Sequence, residues 1–400
     1  MSWEQRLHTA LQQRRDQDLW RQRAQLSSVQ GTEVTCNGEH RLNFCSNDYL
    51  GLAAQGGDDL ATAAERWQLG SGSSHLVCGH SDAHHALEDA LAKLTGYPSA
   101  ILFSTGYMAN LGAISALARR GDLVLQDKLN HASLLDGAVL SRAQLKRYRH
   151  ADNAHLESLL KGTTKTGETL VVTDTIFSMD GDLANIPAMA TLCEQHGALL
   201  MADDAHGFGV LGTEGAGVRA HFNLTPEQLS VYVGTLGKAL GGYGAFVAGS
   251  EEMIDYMVQF ARSYIYTTAL PPALAEGMLG NLERLQNDQL RETLQQRIQQ
   301  FRTKALALGL PLMDSNSPIQ PLMIGSAAKA MAMSAALHKK GIWVSAIRPP
   351  TVPQNEARLR ITLSAAHSEE QIDRLIHALA DISGDILKGR DILEVMPHEQ

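Results

Sequence analysis

Between about residue 84 and residue 250 the chain repeats one pattern: a short apolar, β-branched run, a polar turn, then a segment of helical periodicity. HHALEDALAKLTG reads as an amphipathic helix stopped by Gly96. AILFSTGYMANLGAISALA reads as strand, tight turn and helix, and LVLQDKLNHASLLDGAVLS repeats that logic before the short basic strand LKRYRH. TLVVTDTIFSMDGD is a strand running into a turn, followed by IPAMATLCEQHG as a helix. ALLMADDAHGFGVLG and LSVYVGTLGKALGGYG are two more strands that end in polar or glycine-rich turns. Six or seven strands separated by helices predict an α/β fold with a mostly parallel, seven-stranded sheet flanked by helices. Such sheets bind ligands at the carboxyl ends of their strands.

Five polar motifs fall at those strand ends: Ser104 to Tyr107, Asn130 to Ser133, Ser178 to Asp182, Asp203 to His206, and Thr235 to Lys238. Their shared position points to a single site. Lys238 sits on a glycine-hinged loop behind an apolar strand, a poor place for a solvated surface charge. Burial lowers an amine's pKa, and a neutral amine can form a Schiff base with an aldehyde. A nucleotide-binding reading fails: Tyr232 stands where a Walker loop needs glycine, and Ala239 where it needs Ser or Thr. LGSGSSHLVCGH lacks the last glycine of a dinucleotide fingerprint, which is His75. Gly207, Gly209 and Gly212 match GxGxxG only formally, with acidic residues before and no clear helix after.

The flanks differ from this repeat. Residues 1 to about 27 read as one Gln- and Arg-rich helix ending near Ser27 and Ser28. LNFCSNDYLGLA reads as a short strand entering a turn at Asn47. From about residue 280, NLERLQNDQLRETLQQRIQQFRTKALALG predicts a long helix, followed by strands IQPLMIG, IWVSAI and RLRITL. The expected division is therefore an arm and short strand (1–45), a large α/β domain (46–283) and a smaller α+β domain (284–400) whose last ten or so residues fray. A net charge of -9 argues against a nucleic-acid partner. The charged N-terminus is no signal peptide, and no apolar run reaches membrane-spanning length. Four scattered cysteines fit reduced thiols in the cytoplasm.

A pyridoxal phosphate site needs a lysine for the aldehyde, a carboxylate beside the ring nitrogen, and hydroxyls with free backbone N–H groups for the phosphate. Lys238 supplies the first. Asp203 and Asp204, adjacent in a strand, point to opposite faces, so only one can supply the second. His206 could donate to the ring hydroxyl. Gly106 and Tyr107, opening a helix, suit the phosphate, as do Ser178 and Thr235. His131 could stack on the ring. Ser104 and Ser178 equally suit helix caps, and His131 a helix-start position. DDAH has the donors of a metal site, but no second His/Asp cluster at ligand spacing accompanies it, so no metal is expected.

NDYLGL, STGYMAN, NHASLLDG, FSMDGD, DDAHGFGVLG, GTLGKALGG, YTTALPP and RLRITLSAAH closely resemble the α-oxoamine synthases. These fold-type I pyridoxal-phosphate transferases join an amino acid to an acyl thioester with loss of carbon dioxide. The resemblance runs from Arg21 to Ser364. It implies that Lys238 is the Schiff-base lysine, Asp203 the partner of the ring nitrogen, His206 the partner of the ring hydroxyl, and His131 the stacking residue. Gly106, Tyr107, Ser178 and Thr235 would surround the cofactor, with Thr267 and Thr268 reaching the phosphate of a neighbouring subunit, so a homodimer is implied. Arg360 would clamp the amino acid carboxylate. Arg21 and Thr351 would contact substrate and Asn47 would line the cleft.

Within the family, AIRPPTVP and the N-terminal arm look most like the branch that takes L-alanine and a pimeloyl thioester, carried on acyl carrier protein or coenzyme A. Siblings that use glycine with an acetyl or succinyl thioester, and a non-catalytic cofactor-binding protein, are the competing readings. For an acidic carrier, Lys146, Arg147 and Arg149, or Arg14 and Arg15, are the candidate docking charges. One position departs from the pattern. Asp174 stands where relatives usually carry Glu, and its shorter arm argues against a direct contact from that position, though a bridging water could restore it.

Overall fold

The computed structural model describes residues 1–17, 19–162 and 167–387, so the expected fraying of the last ten residues lies outside the described residues. Two N-terminal strands, β1 (Glu33–Cys36) and β2 (Glu39–Asn43), form an antiparallel pair. The central sheet follows: β3 (Ser99–Phe103), β4 (Leu123–Asp127), β5 (Gln144–Tyr148), β6 (Thr169–Asp174), β7 (Leu199–Asp203), β8 (Val231–Thr235) and β9 (Ala245–Gly249). Its order is β3-β9-β8-β7-β6-β4-β5, with every pairing parallel except those of β9. The interior strands β4, β6 and β9 are buried along their whole length. Apolar clusters packed on both faces explain why their sequences read as continuous apolar runs rather than alternating ones.

Chain direction across the sheet reverses between β4, whose successor β5 lies outward, and β6, whose successors run inward. The crevice outside the carboxyl ends of β4 and β6 is where a doubly wound sheet opens to ligands. The turns that feed it are fixed locally. Thr105 caps helix Gly106–Leu117, its Oγ1 accepting from the Met108 N–H at 3.2 Å, and His131 caps helix Ala132–Ser141. Gly96 ends helix Asp82–Thr95 in the left-handed region, the glycine stop that its sequence predicts.

A second body stands beside this sheet. Strand β10 (Ile319–Gly325) is followed by helix Ala327–Lys339, then by β11 (Ile342–Trp343), β12 (Ser345–Ile347) and β13 (Ala357–Thr362) in succession, and helix Glu369–Leu387 follows β13. The segment IWVSAI, expected as one strand, splits at Val344: β11 pairs with β2, whereas β12 pairs with β13. The N-terminal hairpin is thus the start of a sheet finished by the C-terminal third of the chain. The long helix expected from residue 280 is two, Pro272–Leu285 and Asp288–Ala307. Asn287 Oδ1 caps the second at Gln289 N, and the Arg291 guanidinium binds the Leu285 carbonyl at 2.5 Å, so both exposed ends find partners.

The first helix is also shorter than its periodicity suggests. It covers Trp3–Asp16 and buries none of its residues. Beyond it the backbone pairs with the β1 hairpin, Ser27 N donating to Thr35 O and Asn37 N to Gln25 O. Tertiary pairing there overrides a helical pattern that had no core to pack against. No described helix is long and apolar enough to cross a membrane.

Candidate active site

Lys238 follows β8 and is half-buried, with Gly237 and Gly241 on either side. Its Nζ lies 2.9 Å from His206 Nε2. Burial of the amine is the largest influence on it and pulls its pKa down to about 8, against the opposing pull of Asp203 and Asp174. His206 Nδ1 lies 2.5 Å from the Tyr49 hydroxyl, which in turn donates to Asn47 Oδ1 at 3.2 Å. The Tyr49 hydroxyl thus bridges Asn47 and His206 Nδ1, and the other ring nitrogen of His206, Nε2, faces Lys238. Burial, with Lys238 and Arg360 nearby, holds the His206 imidazole well below its usual value and so neutral.

Asn47 Oδ1 also accepts from Arg360 Nη2 at 3.0 Å. Arg360, on β13, donates from Nε to the Ser178 carbonyl at 2.6 Å and from Nη1 to Thr362 Oγ1 at 3.1 Å. These contacts use three of its five N–H donors. The side chain is buried, and no carboxylate among the described residues lies within ion-pair distance of it. A buried guanidinium with two spare donors on its fork is a receptor for a planar anion.

Asp203 ends β7, in register with Asp174 at the end of β6. Its Oδ2 accepts from Asn110 Nδ2 at 2.6 Å and its Oδ1 from the Ala205 N–H at 2.9 Å. Asp204 turns to a different set, accepting from Val218 N and the Tyr232 hydroxyl, each at 2.8 Å, and from Thr175 Oγ1. The two aspartates therefore part as strand alternation requires, and only Asp203 joins the cluster around His131 and Lys238. Contrary to the expectation from its shorter arm, Asp174 makes a direct contact, its Oδ2 accepting from the His131 N–H at 2.6 Å, because the end of β6 brings its carboxylate up to the turn before helix Ala132–Ser141. Burial, then the neighbouring Asp203 carboxylate, pushes Asp174 well above the usual carboxylate range.

His131 combines the two roles left open by its sequence position. As helix cap its Nδ1 accepts from Ser133 N at 3.3 Å and faces Ser133 Oγ at 2.7 Å, which puts the ring proton on Nε2. The residue is exposed, and desolvation still lowers its pKa against the opposing pull of Asp203. Gly106 begins its helix against β8: a Cβ there would meet Thr235 Cγ2 at 2.7 Å. Only a bare backbone fits, which leaves the first-turn N–H groups of Gly106 and Tyr107 as the donors of a helix N-terminus. The Tyr107 hydroxyl donates to Asp136.

A cleft of about 490 Å³ opens beside this cluster, lined among others by Leu26, Asn47, Gly237, Gly241 and Trp343. Not every predicted residue joins it. Thr267 Oγ1 donates to Ser263 O at 2.7 Å and Thr268 is exposed, with no described contact to Lys238. Arg21 and Thr351 are exposed, the latter held by its backbone N–H to Arg348 O. Asn110, Tyr49 and Thr362 belong to the cluster although their sequence positions do not announce it. Tyr49 lies two residues past Asn47 in the same motif, whereas Asn110 is one polar residue inside an apolar helix.

A lysine with a depressed pKa, a buried aspartate held by an amide, a glycine-opened helix N-terminus and an unpaired arginine define an aldehyde-cofactor enzyme of the doubly wound α/β class. A family model for aminotransferases of class I and II matches residues 39–379. The 8-amino-7-oxononanoate synthase of Pseudomonas putida is 57% identical over 380 residues, covering 94% of this chain and 96% of that protein. A serine palmitoyltransferase from S. paucimobilis, solved with pyridoxal phosphate and myriocin, superposes with a TM-score of 0.89 at 29% identity, over 96% of this chain and 98% of its own. The 8-amino-7-oxononanoate synthase of Francisella tularensis gives 0.76 at 33% identity, over 87% and 98%. The chain therefore belongs to the class I and II aminotransferase family and, within it, groups with the 8-amino-7-oxononanoate synthases.

Proposed function

We propose that the protein condenses L-alanine with a pimeloyl thioester, releasing carbon dioxide and the thiol carrier and yielding 8-amino-7-oxononanoate, with pyridoxal 5'-phosphate as cofactor. The observation that carries the reading is Arg360: a buried cation with two unspent donors, joined through Asn47, Tyr49 and His206 to the amine of Lys238. A protein that only bound the cofactor has no use for this clamp one hydrogen-bonded chain away from the lysine.

The residues fit the cofactor. Lys238 would hold its aldehyde, Asp203 its ring nitrogen and His206 its ring hydroxyl. Gly106, Tyr107, Ser178 and Thr235 would enclose it, with Thr267 and Thr268 of the partner subunit completing the phosphate contacts. Bound pyridoxal phosphate supplies a sink for the electrons left on the α-carbon of alanine. Arg360 orients the alanine carboxylate, and Lys238, neutral above about pH 8, moves the α-proton. Asp203, its Oδ2 anchored by Asn110 Nδ2, would be held facing the ring nitrogen. His131, with its proton on Nε2, donates to the thioester oxygen as the new bond forms. Overall one carbon–carbon bond forms at the thioester carbonyl, its carbon–sulfur bond breaks, and the alanine carboxylate leaves as carbon dioxide.

A homodimer follows from the same reading. It is supported by Leu69, Leu76, Val77 and Tyr266, large apolar residues left exposed around the segment that carries Thr267 and Thr268. Of the basic residues considered for a carrier protein, Arg149 is engaged by Asp152 at 2.7 Å and Arg147 by the Lys128 carbonyl, which leaves Lys146 and the arm as the freer charges. The test is turnover of purified protein with pimeloyl thioester and L-alanine, glycine or L-serine. Alanine is expected to win by at least tenfold in kcat/KM; a preference for glycine or serine overturns the substrate assignment.

A further inference from the structure

A second constellation lies around the start of helix Asp82–Thr95 and takes no part in the site above. His75, His80, His84, His85 and Glu88 gather there in two overlapping trios whose donor atoms lie within 4.8 Å of one another. The sequence hides them: the turn His75–Gly79 folds His75 back onto His80, and the helix brings His85 and Glu88 to one face. His84 is already spent, its Nδ1 accepting from Ser81 N at 3.0 Å and its Nε2–H donating to the Leu270 carbonyl at 2.6 Å. That removes it as a ligand and leaves His80, His85 and Glu88.

These three are arranged as ligands. His80 Nε2 stands 3.8 Å from Glu88 Oε2. Bonds of about 2.0–2.1 Å to a tetrahedral ion place neighbouring donors about 3.4 Å apart, so the pair needs only a small contraction. The far atom of each is occupied. His80 Nδ1 lies 2.8 Å from His75 Nδ1, and Glu88 Oε1 accepts from the Leu102 N–H at 2.9 Å. If His80 donates to His75, its Nε2 lone pair is turned toward Glu88, the outer-shell pattern that orients metal-binding imidazoles. His75 is itself held by stacking on Tyr264, 4.8 Å between centroids and 12° between planes. The His85 ring meets His80 edge-on at 4.4 Å, is exposed, and makes no described side-chain hydrogen bond, so it is free to close on an ion.

We propose that His80, His85 and Glu88 bind a divalent transition-metal ion, with Zn2+ the best match to two imidazoles and a carboxylate, and water completing the shell on the exposed side. The ion would clamp the glycine- and serine-rich segment ending at His80 to the helix behind it. That segment also grips the loop bearing Thr267 and Thr268, through Ser71 Oγ to Ala269 O at 2.5 Å and Ala269 N to Ser73 O at 2.9 Å. The site is thus structural and rests on none of the residues assigned to the reaction.

The test is equilibrium dialysis of the cofactor-loaded, full-length protein against Zn2+, with bound metal counted by elemental analysis. Wild type is expected to bind one Zn2+ per chain at this site. His85→Gln, an exposed substitution that leaves the core untouched, is expected to weaken that binding about 100-fold, and His80→Gln likewise. His75→Phe, which keeps the stacking on Tyr264 but removes the acceptor, should weaken it about tenfold. No stoichiometric Zn2+ on the wild type, or Zn2+ retained equally by His85→Gln and His80→Gln, overturns the assignment.

Discussion

Arg360→Lys tests the carboxylate clamp. The substitution keeps a positive charge at the site but removes the planar fork. Arg360 directs three donors to Ser178, Thr362 and Asn47 and presents two to ligand. Each charge-assisted hydrogen bond to a carboxylate is worth about 1.5–3 kcal/mol, so the clamp contributes roughly 3–6 kcal/mol in all. A lysine ammonium recovers part of this as a point charge, leaving a net loss of about 2–3 kcal/mol. At about 1.4 kcal/mol per tenfold, the Kd for L-alanine should rise roughly 30- to 150-fold. The assay is a titration with L-alanine followed by the visible absorbance of the bound cofactor. L-Alaninol, which lacks the carboxylate, serves as the control ligand: wild type should prefer alanine strongly and the variant should barely discriminate. The KM for the thioester should change by less than about threefold, because a fork spent on alanine does not touch it. An Arg360→Lys protein whose alanine affinity stays within threefold of wild type, with discrimination intact, refutes the clamp.

Three further expectations follow from the same geometry. Asp203→Asn should lower kcat by about 10²–10³-fold, in the range for losing a preorganised electrostatic partner, while retaining cofactor by absorbance; an unchanged kcat contradicts the role of Asp203. Gly106→Ala should weaken cofactor retention on dialysis, since the added Cβ would stand 2.7 Å from Thr235 Cγ2, whereas Gly57→Ala, at an exposed helix start with open space around it, should not. In the cofactor-free protein the neutral fraction of Lys238 grows as pH rises through about 8. The rate of reconstitution with pyridoxal phosphate should therefore climb about tenfold from pH 7 to 9 and then level off; a rate still climbing steeply between pH 9 and 10 indicates an ordinary, unperturbed amine.

The strand ends were legible in the sequence because a parallel sheet imposes order. Once the apolar runs are strands, Lys238, Asp203, His206 and the turn after β4 must face one edge. Strand alternation likewise separates Asp203 from Asp204, since neighbours in an extended chain cannot share a face. What stayed hidden depends on tertiary pairing. Val344 divides IWVSAI between two sheets because β2 and β13 offer edges on different sides, and no local signal marks that choice. The arm beyond Asp16 leaves its helical pattern to pair with the β1 hairpin. Asn110 is invisible in an apolar helix until the fold sets it beside Asp203. The metal-binding constellation escaped because its spacing crosses a turn that sequence periodicity does not describe.

The most direct measurement is the address of the cofactor. Borohydride reduction of the holoenzyme followed by peptide mass mapping should find a single pyridoxyl group, on Lys238, and Lys238→Ala should lose both the reducible visible absorbance and the condensation of L-alanine with pimeloyl thioester. Label on a different lysine, or a Lys238→Ala protein that stays coloured, reducible and active, contradicts the account.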